Sequence, residues 1–374
     1  MADSKEVYLV LGGDVFVGRH VVEQLKARGD TVFVFGPTQK HSDVECYSGD
    51  ICVSDQISKV IQETGATCII HTISPLSIKN SDNLSIFHRV NVEGTKCVIT
   101  VAKAAGIRKL IYHGSSGTVF EGRDIVNGDE SLPYPKKPLH PYTASRALAE
   151  QLVIAANDVN GLRTVCIRPS GIFGPLDEET IVGAYDGWKR GSTHIQLGDN
   201  KNLSDKTYVG NVAHAILLAS DKLSDPAVSD QVAGQAFFIT NNDPWPFWDF
   251  MRRLWVGFDA MFPDRPKPTP KKLMVIPRTL AMLMAYVFKF LAWLRGAKDP
   301  LLTPYTVTFA TTSMYFSSAK ARRLLGYEPQ VSVEEGIERT LTVGLFFVLD
   351  VECVAYREPI FQWFKAEHDA GNFK

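Results

Sequence analysis

The sequence predicts an α/β chain, a doubly wound parallel sheet with a smaller C-terminal substrate lobe, and three observations predict it. Short apolar, β-branched runs recur at Val7–Leu11, Thr31–Phe35, Cys68–Thr72, Lys109–His113 and Thr164–Ile167. Helical patterns fill the intervals, and spacings of roughly 25 to 55 residues suit βαβ units whose strands are covered on both faces. The first run leads through a glycine turn into a helix-like stretch from Phe16 to Arg28. No internal repeat or low-complexity tract interrupts the pattern.

Bulk composition narrows the function. At 374 residues, with 45% hydrophobic and 22% charged, the chain can build a large core and is too apolar to be disordered. Residues 1–175 read mainly as a core of the dinucleotide-binding type, and 176–374 mainly as the substrate lobe, with segments near 205–240 returning to the core. A net charge of −1 leaves no basic excess for a nucleic-acid surface, so any bound nucleotide is a cofactor. Cys46, Cys52, Cys68, Cys97, Cys166 and Cys353 form no CxxC pair and read as reduced core thiols in a cytosol-facing protein. The first strand is expected to begin by about residue 6, which leaves no room for a secretory leader, and the expected location is the cytoplasmic side. No His, Cys and carboxylate cluster has metal-ligand spacing, so no metal is expected.

The first element carries the most chemistry. Val7-Tyr-Leu-Val-Leu-Gly-Gly-Asp-Val-Phe-Val-Gly18 places Gly12 and Gly18 about a strand-to-helix turn, where the first peptide N–H groups of the helix face a pyrophosphate. Val15 stands at the middle glycine of that layout. Backbone must approach the phosphates closely there, and a β-branched side chain intrudes.

The run Lys109–His113 ends in Gly114-Ser-Ser-Gly117, which sets hydroxyls at the carboxyl edge of the sheet. Ser115, with Ser116 the lesser alternative, can hydrogen-bond a substrate oxygen that gains negative charge. A proline-rich loop, Leu132 to Pro141, leads into a helix from Tyr142 to Asn157. Tyr142 and Arg146, four residues apart, share one helical face. A phenol with a pKa of about 10 is a poor acid/base at neutral pH, and a fixed cation beside it stabilises the phenolate.

Farther on, Leu273 to Leu294 carries only Arg278 and Lys289 as charges. Those charges and Pro277 interrupt a span, so the segment fits a helix lying in a membrane interface, with Trp293 near the headgroups. A hydrophobic lid or dimer helix is the alternative.

Taken together, these motifs resemble the extended short-chain dehydrogenase/reductase superfamily, most closely its 3β-hydroxysteroid dehydrogenase branch, which includes sterol-4α-carboxylate 3-dehydrogenases (decarboxylating). The resemblance runs from residue 6 to about residue 345. It rests on Gly12-Gly13 with Gly18, Gly49-Asp50-Ile51, His71 to Pro75, Asn91-Val-Glu-Gly-Thr95, Ser115, Tyr142, Arg168 to Pro175, Tyr208 to His214, Phe247 to Phe250 and Lys320 to Tyr327. It implies a Rossmann-like fold that binds NAD or NADP, with Gly12, Val15, Phe16, Gly18 and Arg146 along the cofactor, Asp50 and Ile51 at the adenine, and Pro169 and Ile172 beside the nicotinamide. It implies Tyr142 as the proton-transferring residue and Ser115 as its hydroxyl partner. The implied reaction is hydride transfer from a ring 3-hydroxyl; with a carboxylate on the adjacent carbon, the resulting β-keto acid loses carbon dioxide. A hydrophobic small-molecule substrate, contact with the endoplasmic reticulum membrane through residues 273–294 and a homodimer complete the expectation.

Four positions depart from that pattern. Val15 replaces the middle glycine, and Gly36 replaces the acidic residue that takes the adenosine ribose hydroxyls, so that no carboxylate is available there and Lys40 is the nearest cation. Ile73 replaces a small alanine, and Arg146 replaces the lysine of Tyr-x-x-x-Lys, giving a permanent charge on a larger, planar head. Three functions stay open on these residues. One is an NAD(P)-linked oxidoreductase of a sterol, terpenoid or similar polycyclic alcohol or ketone. The second is a redox-neutral isomerase, cyclase or dehydratase using Tyr142, Arg146 and Ser115 for proton movement. The third is a silent membrane-surface binder of a lipid or partner.

Overall fold

Seven parallel strands form the central sheet of the computed structural model, which describes residues 6–37, 41, 43–75, 84–263, 272–295, 300 and 302–350, with side chains as far as residue 342. They are β1 (Val7–Leu11), β2 (Thr31–Gly36), β3 (Cys46–Ser48), β4 (Cys68–His71), β5 (Lys109–His113), β6 (Arg163–Pro169) and β7 (Gln235–Ile239). Their spatial order is β7-β6-β5-β4-β1-β2-β3, which reverses direction at β1. That reversal is the topological switch point, where an open α/β sheet takes its ligand outside the strand carboxyl ends.

Burial on both faces explains why the strands are continuously apolar. Leu9, Val10 and Leu11 of β1, Ile69 and Ile70 of β4, and Leu110 and Ile111 of β5 are all fully buried. The two strands absent from the sequence reading have separate reasons. β3 is a three-residue edge strand, and the Phe-rich β7 lies within the second half of the chain, whose composition reads as lobe.

Helices α1 (Phe16–Ala27), α2 (Ser54–Thr64), α3 (Thr95–Ala104) and α4 (Pro141–Ala155) follow the early strands, while α5 (Thr180–Lys189), α6 (Val209–Ser224) and α7 (Phe247–Met261) lie in the second half. Val21, Val22 and Leu25 of α1 pack with Val212 and Ile216 of α6 on one face of the sheet. Ile57 and Ile61 of α2, Val98 of α3 and Val153 of α4 cover the other. The segment near 205–240 thus supplies both a covering helix and the edge strand β7.

A buried ion pair fixes α4 to the sheet. Glu150 on α4 is fully buried and holds Arg168 on β6, with Nη2 to Oε1 at 2.6 Å and Nε at 3.0 Å from both oxygens. The Tyr134 hydroxyl, from the proline-rich loop, donates to the same carboxylate at 2.7 Å.

The second half builds a lobe in which Tyr185 and Trp188 of α5 pack against Phe258 of α7. The apolar segment expected as one helix from 273 to 294 is divided at Pro277. Met274–Ile276 pairs in parallel with Ile195–Leu197, and the helix α8 runs over Arg278–Leu294. Proline has no N–H for the interior of a helix but is well suited to its start, so the break falls there. Helix α9 (Pro304–Thr311) packs on α8, where Ala281 and Ala285 meet Val307.

Candidate active site

The glycine turn forms as the sequence predicts. Gly12 adopts φ +83, a left-handed conformation that favours glycine, and a Cβ on Gly18 would fall 2.0 Å from the Gly12 carbonyl oxygen. This closeness brings the start of α1 against the end of β1. The first turn of α1 has no acidic residue and no side-chain cap, which leaves its N–H groups to an anion. Val15 takes the N-cap position with ordinary extended backbone (φ −130), and its side chain is 43% exposed. It therefore stands at the surface of the turn without backbone strain. Phe16 is half-buried against the core of that face, and Ile73 presses on Gly12, its Cγ1 lying 2.8 Å from where a Cβ would be.

Gly36 corrects one part of the sequence reading. The glycine bears no carboxylate, yet the Asp14 carboxylate fills the space beside it: Oδ1 lies 2.8 Å from the position of a Cβ on Gly36. Asp14 is 5% exposed. Lys40 falls outside the described residues.

Asp50 and Ile51 lie past β3, at the entry to α2. Asp50 Oδ1 accepts the Cys52 N–H at 2.9 Å, while Oδ2 pairs with Arg89. These contacts hold the Asp50 carboxyl below its ordinary pKa, the Cys52 hydrogen bond being the largest cause. Ile51 is buried against Gly94, so its side chain serves packing. Pro169 ends β6, and the half-buried Ile172 begins a short strand paired with Thr207.

Ser115 follows the carboxyl end of β5, and Tyr142 and Arg146 lie on α4, which Arg146 joins to that strand end. The Ser115 hydroxyl oxygen accepts the Gly117 N–H at 3.1 Å, which leaves its proton to donate. Ser116 is 3% exposed, so of the two hydroxyls Ser115 is the accessible one. Tyr142 lies in the first turn of α4, where His140 caps the helix by accepting the Tyr142 N–H at 3.1 Å.

Arg146 is 1% exposed and turns its guanidinium toward the strand end. Nη2 donates to the His113 carbonyl and, at 2.9 Å, to that of Gly114, while the guanidinium carbon sits 5.0 Å from the centre of the Tyr112 ring. Arg146 thus ties the helix bearing Tyr142 to the strand end bearing Ser115. Its Nε and Nη1 are buried without a hydrogen-bond partner among the described residues. Burial, followed by this cation, drives the His71 pKa down to about 3 and that of His113 well below its usual value, so both imidazoles stay neutral at physiological pH.

Several contributors escape the sequence reading. Asn91 lies in a π-helix, His88–Gly94, and donates to Ser145 Oγ at 2.9 Å; Ser145 in turn donates to the Tyr142 carbonyl at 2.7 Å. The signal was present in Asn91-Val-Glu-Gly-Thr95, but its link to Tyr142 is tertiary. A series of rings also leads away from Tyr142. Phe87 is 5.6 Å from Tyr142 and 5.9 Å from His140, His140 is 5.2 Å from Tyr305, and Tyr305 is 6.4 Å from Phe309 on α9. No periodicity joins these positions.

The donor set fits a dinucleotide. Buried, unpartnered nitrogens on Arg146 match ribose hydroxyls, the uncapped start of α1 matches a pyrophosphate, and the turn between them brings backbone close. Among the described residues no group of three His, Cys or carboxylate side chains could hold a metal.

Comparison with known proteins places this geometry. Residues 9–267 match the 3-beta hydroxysteroid dehydrogenase/isomerase family. The chain is 36% identical over 354 residues to the sterol-4-alpha-carboxylate 3-dehydrogenase, decarboxylating, of Candida albicans, covering 91% of this chain and 98% of that protein. It is 38% identical over 338 residues to the mouse (Mus musculus) protein described in the same words, covering 89% of each. Among solved structures, the UDP-glucose 4-epimerase of Thermotoga maritima superposes with a TM-score of 0.68 at 18% identity, covering 91% of this chain and 99% of that one. The Thermus thermophilus UDP-glucose 4-epimerase, solved in complex with NAD, superposes at 0.64 with 20% identity, covering 90% and 98%. At these identities the structural likeness concerns the fold.

Proposed function

We propose, from the premise that the chain belongs to the 3-beta hydroxysteroid dehydrogenase/isomerase family, that it is an NAD(P)-linked oxidoreductase of a sterol or similar polycyclic alcohol. The observation that carries this reading is the buried Arg146, which joins the Tyr142 helix to the Ser115 strand end and keeps two donors in reserve. A nicotinamide held there would supply the hydride acceptor for the carbinol carbon. Ser115 donates a hydrogen bond to the carbinol oxygen and orients it, and Tyr142, acting as the phenolate, takes the carbinol proton and becomes the neutral phenol. Arg146 holds the two together and presents Nε and Nη1 to the ribose. Where the carbon next to the new ketone bears a carboxylate, as the names of the relatives specify, carbon dioxide leaves without a further catalytic group.

An apolar substrate is supported by the aromatic packing beside Tyr142, whose ring meets the buried Phe87 edge-on at 5.6 Å. Helix α8 supports delivery from a membrane surface. Leu283, Tyr286, Phe290 and Trp293 are 57% to 72% exposed, although no helix among the described residues is long and apolar enough to cross a bilayer. We assign this face to the interface of a bilayer on the cytoplasmic side.

Titration of the purified protein with NAD⁺, NADH, NADP⁺ and NADPH by calorimetry is the test, followed by turnover of 3β-hydroxysterols with and without a 4α-carboxylate. Micromolar binding of one nucleotide pair and turnover lost in Tyr142→Phe are expected. No binding up to millimolar nucleotide overturns the oxidoreductase and leaves the redox-neutral enzyme.

A further inference from the structure

We infer that Asp14 supplies the carboxylate that grips the adenosine ribose, from the glycine turn instead of the end of β2, and so selects NAD over NADP. The inference rests on the NAD(P)-binding reading above.

In a sheet of this topology the ribose lies at the carboxyl end of the second strand, where an acidic side chain accepts hydrogen bonds from its hydroxyls. That strand ends here at Gly36. A Cβ built on Gly36 would come within 2.8 Å of Asp14 Oδ1, 3.4 Å of Cγ and 3.6 Å of Oδ2. The two positions therefore compete for one space, and the carboxylate of Asp14 reaches the place from which a residue 36 side chain would start.

The turn is braced to hold it there. A Cβ on Gly13 would meet Val22 and Val34 at 2.8 Å, so the turn sits directly on the end of β2. On the other side the His41 ring closes over it and donates from Nε2 to the Gly13 carbonyl at 2.6 Å. With Gly13 held on both sides, the backbone that carries Asp14 is anchored beside Gly36. The acid lost at position 36 is thus matched in space by the carboxylate of Asp14.

That carboxylate sets the cofactor. A vicinal diol offers two donors to a carboxylate, whereas the 2′-phosphate of NADP brings like charge against it. The nearby cation on α1, Arg19, is 9% exposed and lies 3.8 Å from Glu23 of its own helix.

The test uses full-length protein and binding, not turnover. Calorimetric titration should give NAD⁺ an affinity at least about tenfold above NADP⁺, the scale of a hydrogen bond to a charged group. Asp14→Asn should lower NAD⁺ affinity about tenfold and narrow the ratio. Asp14→Ala with Gly36→Asp, which moves the acid back to β2, should restore the NAD⁺ preference that Asp14→Ala alone loses. NADP⁺ binding as tightly as NAD⁺, or NAD⁺ affinity unchanged in Asp14→Asn, overturns the inference while leaving the oxidoreductase standing. Absence of binding by all four nucleotides overturns both.

Discussion

Arg146 Nη2 lies 2.9 Å from the Gly114 carbonyl oxygen, so the cation four residues after Tyr142 is directed at the backbone beside Ser115. A guanidinium can reach the His113 and Gly114 carbonyls while still presenting Nε and Nη1, whereas an ammonium is a single point of donation. Arg146→Met should lower kcat/KM about 100-fold or more and also lower the melting temperature, since two buried carbonyls lose their donor. Arg146→Lys should retain the charge and recover much of kcat but little of the melting temperature. Full activity in Arg146→Met would remove Arg146 from the site.

Glu150 and Arg168 make the second prediction, one about stability. Both are nearly inaccessible, and the carboxylate also receives the Tyr134 hydroxyl. Removing one partner of such a pair strands the other charge, which costs about 3–5 kcal/mol. Glu150→Gln should cut the free energy of unfolding in urea by an amount on that order and weaken α4 as a platform for Tyr142. A change within about 0.5 kcal/mol, the range of ordinary surface substitutions, would show that the pair is not held as described.

These two cases mark how far the sequence could be read. The sheet was legible because its strands are buried on both faces, which writes a continuous apolar run into each. Gly12 and Gly18 were legible because close approach admits only glycine. Tyr142, Ser115 and Arg146 were identified as a set, but the aim of Arg146 toward Gly114 depends on rotamers that spacing does not determine. Asp14 was passed over for a different reason. Its meaning lies in contact with Gly36, a tertiary neighbour at the end of β2, so Gly36 read alone looks like a loss and Asp14 like an ordinary turn residue. The Phe87, His140 and Tyr305 series is hidden in the same way, its members coming from three distant segments.

Asp177 supplies a pH prediction. Its Oδ1 accepts the N–H groups of Glu179 at 2.8 Å and Thr180 at 2.9 Å at the start of α5, while Oδ2 is buried without a partner among the described residues. Burial pushes its pKa up to about 7, and the Glu179 charge adds to the rise. A raised carboxyl pKa means that the folded state holds the proton more tightly than the unfolded chain, whose value is about 3.9. The resulting stability is fully present below pH 4 and is lost as pH rises through 7. Asp205, likewise raised to about 7 by burial, acts in the same direction, whereas Lys206, depressed to about 8, restores stability only as pH climbs from about 8 toward 10. Asp177→Asn keeps Oδ1 as an acceptor and removes the titration. It should be nearly equal to wild type at pH 4 and more stable than wild type at pH 8 by about 2–4 kcal/mol, as read from urea unfolding at the two pH values. A constant difference across that window would assign the effect to packing instead.

Helix α8 yields the last prediction, which separates a lipid surface from a protein one. Its contact with the rest of the molecule is made chiefly through Ala281 and Ala285, both fully buried, while Leu283 and Tyr286 are each 61% exposed and Trp293 is 72% exposed. An exposed apolar face this long, bordered by Arg278, Lys289 and Arg295, matches an interfacial helix whose cations meet headgroups. Burying each large side chain in the acyl boundary contributes about 1.5–3 kcal/mol, so Leu283→Ser with Trp293→Ser should weaken partition into anionic vesicles about 100-fold or more. Lys289→Glu should weaken binding to anionic vesicles and leave neutral ones unaffected, because only the headgroup term changes. Sedimentation with vesicles measures both. Wild-type protein that stays in the supernatant at low salt, yet elutes as a dimer that Trp293→Ser dissociates, would transfer this face from a membrane to a second copy of the chain.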